Sequence, residues 1–279
     1  MIENKSKFRI PLYILIYVLL IIWAILTGYP LIWMVLSSLK DNVSFLIDPW
    51  SLPTDPRFEN FVIAWQAGIQ GFFLNSVFVT VLTTGIIILL SCAFSFMAAR
   101  FPFKGSTGIL GMFFAGMMVP VHVTLIPLFI MMNRLNWLDG RFTLLFPYVG
   151  FGLPIAIFLT YAHYRQIPKE LEDAAIIDGC GIYSLFAFVF FPLAKPVIFT
   201  VSILSAMSAW NEFIFANVFI TSQSLRTLPV GLMVFRGTYV TNFALMSAAL
   251  VISAVPIIIL YICMSGRLQT GLIAGSIKG

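Results

Sequence analysis

Long apolar stretches separated by short polar ones dominate the chain. Runs free of Asp, Glu, Lys and Arg cover 10–39, 60–99, 105–133, 142–164, 196–225 and 237–266, the fifth broken by Glu212 alone. A helical crossing of a bilayer needs about 20 apolar residues, and each run is long enough for one. Hydrocarbon offers no hydrogen-bond partners, so backbone crosses it as helices or as a closed barrel. The runs are continuous rather than alternating, which selects helices. Trimmed by turn residues and flanking charges, the pattern predicts an all-α membrane protein. Its single transmembrane domain over 1–279 has six transmembrane helices, near 12–37, 72–99, 107–131, 142–163, 196–220 and 244–265. Pro30, Pro120, Pro127, Pro154 and Pro256 fall inside these spans, where a missing backbone donor bends a helix.

Composition agrees. With 60% apolar and 10% charged residues and a mean hydropathy of +1.01, the chain has too little polar surface to coat a water-soluble globule. The net charge of +5 is scattered at the ends of apolar runs and forms no aromatic-interleaved basic stripe, so no nucleic-acid partner is expected. These cations read as topology signals. With the N-terminus inside, the inner segments carry Lys5, Lys7, Arg9, Arg100, Lys104, Arg165, Lys169, Lys195, Arg267 and Lys278; the outer ones carry Lys40, Arg57, Arg134, Arg141, Arg226 and Arg236. The acids Asp41, Asp48, Asp55 and Glu59 lie in the long loop after the first span. The positive-inside rule therefore places both termini in the cytoplasm. The first apolar run is longer than the core of a signal peptide and is expected to stay as a span. Cys92, Cys180 and Cys263 are widely spaced and suggest packing rather than a disulfide framework or a metal site.

The segment 166–192, between the fourth and fifth spans, is the most informative polar stretch. Pro168 suits a first helical position, Glu170, Glu172 and Asp173 suit the positive end of a helix dipole, and Gly179 is placed to stop the helix. Leu171, Ala174, Ala175 and Asp178 recur at helical spacing, which makes one face small and apolar. Physics alone leaves two roles open: a helix that fits a groove on a cytosolic partner, or one that lies on the membrane surface.

Asp173-Ala174-Ala175, then Asp178-Gly179, then Phe191-Pro192 resembles the EAA loop of ABC-importer permeases, with Asp173 in place of the usual Glu and Phe191 in place of Leu. Trp210-Asn211-Glu212-Phe213 and the ending Gly271-Leu272-Ile273-Ala274-Gly275-Ser276-Ile277-Lys278-Gly279 are similar to elements of carbohydrate permeases. The likeness runs the whole chain and takes the form of the second permease subunit of maltose-type importers. It implies a coupling helix that docks on a cytosolic ABC ATPase dimer, with Glu172, Asp173, Ala174, Ala175, Asp178 and Gly179 as docking residues. It also implies a homologous second permease, an extracytoplasmic solute-binding protein, surrounding membrane lipid and a sugar as solute. The location implied is a bacterial cytoplasmic membrane. No Gly-x-x-x-x-Gly-Lys-Ser/Thr loop occurs in the sequence, so ATP and magnesium are expected on the partner ATPase, with no cofactor and no catalysis on this chain.

For the solute path the candidates are Trp210, Asn211, Glu212 and His122. An unpaired charge at mid-bilayer costs roughly 2.5–3.5 kcal/mol on insertion scales, so Glu212 faces protein or water. It either offers acceptors to a hydroxylated solute beside Trp210 and Asn211, or pairs structurally with Asn217, a backbone group or the partner permease. His122 after the Pro120 bend either lines a cavity or packs. An ion-coupled secondary transporter would need several intramembrane ionisable groups, and the spans hold one acid. A membrane-embedded enzyme would need a second carboxylate or a His-Glu-x-x-His motif. A glycerol-phosphate permease would favour clustered arginines in the path. The sequence contains none of these.

Overall fold

The computed structural model describes residues 4–235 and 242–273. Among them the secondary structure is helical, with no strand. The elements are α1 (Asn4–Ser38), α2 (Asn42–Ile47), α3 (Glu59–Ala64), α4 (Gln70–Arg100), α5 (Ser106–Gly116), α6 (Leu125–Arg134), α7 (Leu145–Gln166) and α8 (Lys169–Ile177). They continue with α9 (Ile182–Leu193), α10 (Lys195–Asn211), α11 (Ile214–Phe219) and α12 (Phe243–Ile273). Of the carbohydrate-permease-like ending, residues 274–279 lie outside the described residues.

The chain divides into two compact units, one from Met1–Ala67 with Val234–Ala254, the other from Gly68–Met233 with Val255–Gly279. In the first, α1 presents apolar side chains such as Leu15, Trp23 and Leu26 that are more than half exposed. The loop after α1 is held by Phe45 and Trp50 packed against Trp33 and by polar contacts. Buried Lys40 donates from Nζ to the Asp48 carbonyl at 2.9 Å, to that of Pro49 at 3.3 Å and to Ser51 Oγ at 3.1 Å. These three oxygens occupy its three donors. Asn60 Nδ2 donates to the carbonyls of Ser38 and Lys40, both at 2.8 Å. Asp41 caps α2 by accepting from Val43 N and Ser44 N at 3.0 Å.

In the second unit α4 packs along α7 and α10, and α5 packs on α7. A Cβ on Gly152 of α7 would sit 2.4 Å from Ile87 Cδ1 of α4, so a glycine is what lets these helices approach. Ser95 Oγ lies 2.7 Å from Thr160 Oγ1 across the same interface. One apolar cluster gathers Val79, Met132, Tyr148, Phe215 and Phe219; a second gathers Ile87, Phe96, Tyr164, Ala175 and Phe190.

Two predicted spans are not single straight helices. The stretch 107–131 is divided between α5 and the helical segment Val121–Arg134 that contains α6, which meet at 97° across residues 117–120. Pro120 there has ψ 123°, outside the helical region, and it brings no N–H to the helix. The stretch 196–220 is divided at Glu212, whose ψ of 124° ends α10 before α11 begins. Upstream, α9 and α10 meet at 73°. Among the described residues four helices are long and apolar enough to cross a membrane unaided, and up to six crossings result if each bent pair is one span.

Candidate functional site

Two places in the second unit concentrate polar chemistry against apolar surroundings. The first is the corner where α8 meets the ends of α4 and α7. α8 starts at Lys169, one residue after Pro168, with Glu170 and Glu172 in its first turn. It ends in a glycine cap: Gly179 has φ +83°, its N–H donates to the Ile176 carbonyl at 3.0 Å, and Cys180 N donates to the Ala175 carbonyl at 3.0 Å. This paired closure satisfies carbonyls that a helix end otherwise leaves open.

α8 has two unlike faces. Asp173, Ala174, Asp178 and Gly179 are exposed, as are Leu171 and Ile177. Ala175 and Glu172 are buried. The two adjacent alanines therefore point different ways, and Ala175 belongs to the inner apolar cluster with Phe190 and Leu185. Glu172, expected with the docking residues, is instead turned inward, where its Oε2 lies 3.7 Å from Arg100 Nη1. Removing either partner of a pair so placed would leave the other charge buried without compensation.

The second place is a cavity of about 360 Å³ bordered by α4, α7 and α10, with Thr83, Tyr148, Ser205, Ser208 and Glu212 as its polar lining and Phe151 and Phe215 among its apolar walls. Glu212 accepts from Tyr148 Oη at 2.6 Å, from Phe215 N at 2.8 Å and from Ala216 N at 3.1 Å. The carboxylate thus takes up free N–H groups in the first turn of α11, where the helix dipole also favours negative charge. Its partners are Tyr148 and backbone, not Asn217. Thr83 Oγ1 is buried against this cavity without a hydrogen-bond partner among the described residues. The rings of Phe151 and Phe215 stack at 5.7 Å.

Of the four solute-path candidates, Glu212 is the one brought to this cavity. Trp210 is buried and meets Phe73 edge-on at 5.6 Å. Asn211 turns its amide back to the Met207 carbonyl at 2.9 Å. His122 is exposed on the short turn Val121–Thr124; its neighbour Val121 borders the cavity. Sequence reasoning missed Tyr148, Thr83, Ser205 and Ser208. Ser205, Ser208 and Glu212 recur at i, i+3 and i+7 along an apolar helix, a polar stripe that would have pointed to one lined face.

Comparison with known proteins agrees with this architecture. The structure resembles that of a bacterial ABC transporter involved in the import of the acidic polysaccharide alginate, with a TM-score of 0.79 over 91% of this chain and 95% of that one, at 22% identity. Residues 91–272 match the family described as binding-protein-dependent transport system inner membrane component, and the chain belongs to that family. It is 40% identical to the "Probable ABC transporter permease protein YurM" of Bacillus subtilis strain 168, covering 100% of this chain and 94% of that one. It is 33% identical to the diacetylchitobiose uptake system permease protein NgcG of Streptomyces coelicolor, over 94% of this chain and 86% of the relative. The protein is accordingly a multi-pass membrane component of an ABC transporter, a transport subunit rather than a catalytic one.

Proposed function

We propose that this chain is one of two homologous permease subunits of an ATP-driven importer for a sugar or oligosaccharide. α8 serves as the helix that docks on the cytosolic ATPase dimer. The observation that carries this reading is the division of α8 into a buried, charge-clipped inner face and a bare outer face bearing Asp173, Ala174, Asp178 and Gly179. A surface-lying helix would instead place its apolar residues toward lipid and its acids toward water, whereas here one acid is buried inward and three large apolar residues, Leu171, Ile176 and Ile177, are exposed along with the other acids.

In this reading the α5–α6 and α9–α10 pairs each make one crossing, giving six, with both termini cytoplasmic. Lipid and the second permease cover α1. A solute-binding protein delivers solute from outside, and ATP bound with magnesium on the ATPase drives alternating access. The cavity at Glu212 then offers a hydroxylated solute a carboxylate, hydroxyls at Thr83, Ser205 and Ser208, and the aromatic wall of Phe151 and Phe215. That mixture of a few polar groups in an apolar concavity suits a small-molecule site. A sugar-class solute is also supported by what the relative from Streptomyces coelicolor is named for.

Purification in mild detergent tests the assembly. The chain is expected to bring with it a second permease and a P-loop ATPase. Ala174→Arg is expected to insert normally but to lose the ATPase, because added bulk and charge on the exposed face block docking. Normal ATPase retention by Ala174→Arg, or a chain that purifies alone and still transports in liposomes, would overturn this function.

A further inference from the structure

Within the α8 corner, Arg100 ties several elements together. Arg100 closes α4, and its side chain is 10% exposed, that of Glu172 8%. Besides facing Glu172, its guanidinium donates from Nη2 to the Tyr164 carbonyl at 2.6 Å and to the Ile167 carbonyl, at the C-terminal end of α7. Its Cζ lies 5.1 Å from the centroid of the Phe190 ring in α9. One side chain therefore touches α7, α8 and α9 while belonging to α4.

The guanidinium spreads its donors over a rigid plane, so it can face the carbonyls at the end of α7 with one nitrogen and Glu172 with the other while lying over the Phe190 ring, a reach that the compact ammonium of lysine lacks. If α8 had merely to be presented to a partner, apolar packing at Ala175 would hold it. An ion pair removed from water adds direction, since losing either partner strands the other charge. Packed elements joined by such contacts shift between discrete arrangements rather than deform.

We infer that Arg100 and Glu172 are positioning residues that carry displacement of α8 into the ends of α4 and α7, so that two spans bordering the Glu212 cavity move together when the docking helix is pushed. This rests on the reading of α8 as the ATPase-docking helix.

The test uses the whole importer, this chain with the subunits that co-purify with it, carrying Ser208→Cys as a reporter in the cavity. N-ethylmaleimide labelling is compared with and without ATP and vanadate, after subtracting the signal of the same complex without that cysteine. In the reporter complex ATP and vanadate are expected to change the labelling rate. With Glu172→Gln or Arg100→Lys added, the complex is expected to stay assembled and to hydrolyse ATP, while the labelling response shrinks roughly tenfold. A merely stabilising pair would leave that response intact. A full response in both variants overturns the inference, as does an assembled reporter complex whose labelling ignores ATP and vanadate. Loss of the ATPase by Glu172→Gln also overturns it, by making Glu172 a docking contact. A chain without either substitution that holds no ATPase would instead fail the docking reading itself. If Glu172→Gln does not reach the membrane, Glu172→Asp, charged but shorter, takes its place with the same outcomes.

Discussion

The α8 corner and the Glu212 cavity each hold a carboxylate in apolar surroundings, Glu172 buried and Glu212 half-buried, and they satisfy it in opposite ways. Glu172 is answered by a cation, Arg100, which also binds two carbonyls and covers a ring. Glu212 is answered by neutral donors, Tyr148 Oη and two backbone N–H groups. At the corner the contacts join four helices. At the cavity about 360 Å³ stays open, and Thr83 keeps an unused hydroxyl. The first arrangement resists separation of its parts; the second has spare hydrogen-bonding capacity for something that enters.

The largest expected effect follows from the corner. Arg100→Ala strands a buried carboxylate and frees helix-end carbonyls, and removing one partner of such a pair costs about 3–5 kcal/mol. Thermal unfolding in detergent should show it. Replacing both partners with apolar residues, Arg100→Met with Glu172→Leu, should recover much of that loss. If the double variant is no more stable than Arg100→Ala, the carbonyl contacts and not the ion pair hold the corner together.

The cavity should respond more mildly. Tyr148→Phe removes one donor from a carboxylate that retains two, so a loss of about 1–3 kcal/mol is expected. Thr83→Val is expected to leave stability unchanged or slightly raised, because its hydroxyl has no partner to lose, yet to weaken uptake of a hydroxylated solute. Unchanged uptake affinity in Thr83→Val would make the cavity a packing defect rather than a solute subsite.

What the sequence disclosed differs between the two places for physical reasons. The ends of α8 were legible because Pro168 and Gly179 act through local backbone geometry, and Gly179 does adopt a positive φ. The inward turn of Glu172 was not, since an acid early in a helix suits the dipole whichever way it faces. Arg100 read as a topology signal because its partner lies in a different element. The bend at Pro120 was legible for the same local reason as the α8 ends. The break at Glu212 was not, for it arises when a side chain takes the N–H groups of the following turn, and neither Pro nor Gly marks it. Trp210 and Asn211, adjacent in a recognisable motif, parted because neighbours on a helix face different directions.

The smallest effect belongs to a third carboxylate, outside the spans, which sets a scale for the other two. Asp139 sits at φ +54° between α6 and α7. It accepts from Ser222 Oγ at 2.5 Å, from Ser222 N at 2.8 Å and from Thr221 N at 3.0 Å. Those donors, the Ser222 hydroxyl foremost, hold its carboxyl at about 2, below the ordinary 3.8. A lowered folded value means that the carboxylate stabilises the folded loop fully above 3.8 and loses that contribution as pH falls toward 2. Asn tolerates the same left-handed backbone, so Asp139→Asn removes the charge without straining the chain. It should lower the unfolding temperature slightly at neutral pH, and the gap from the parent should close as the buffer is taken below pH 3.8. No gap at any pH would mean that the loop is held by its backbone bond from Asp139 N to the Phe219 carbonyl at 2.9 Å, which both chains keep, and that here, unlike at Glu172 and Glu212, the carboxylate is incidental.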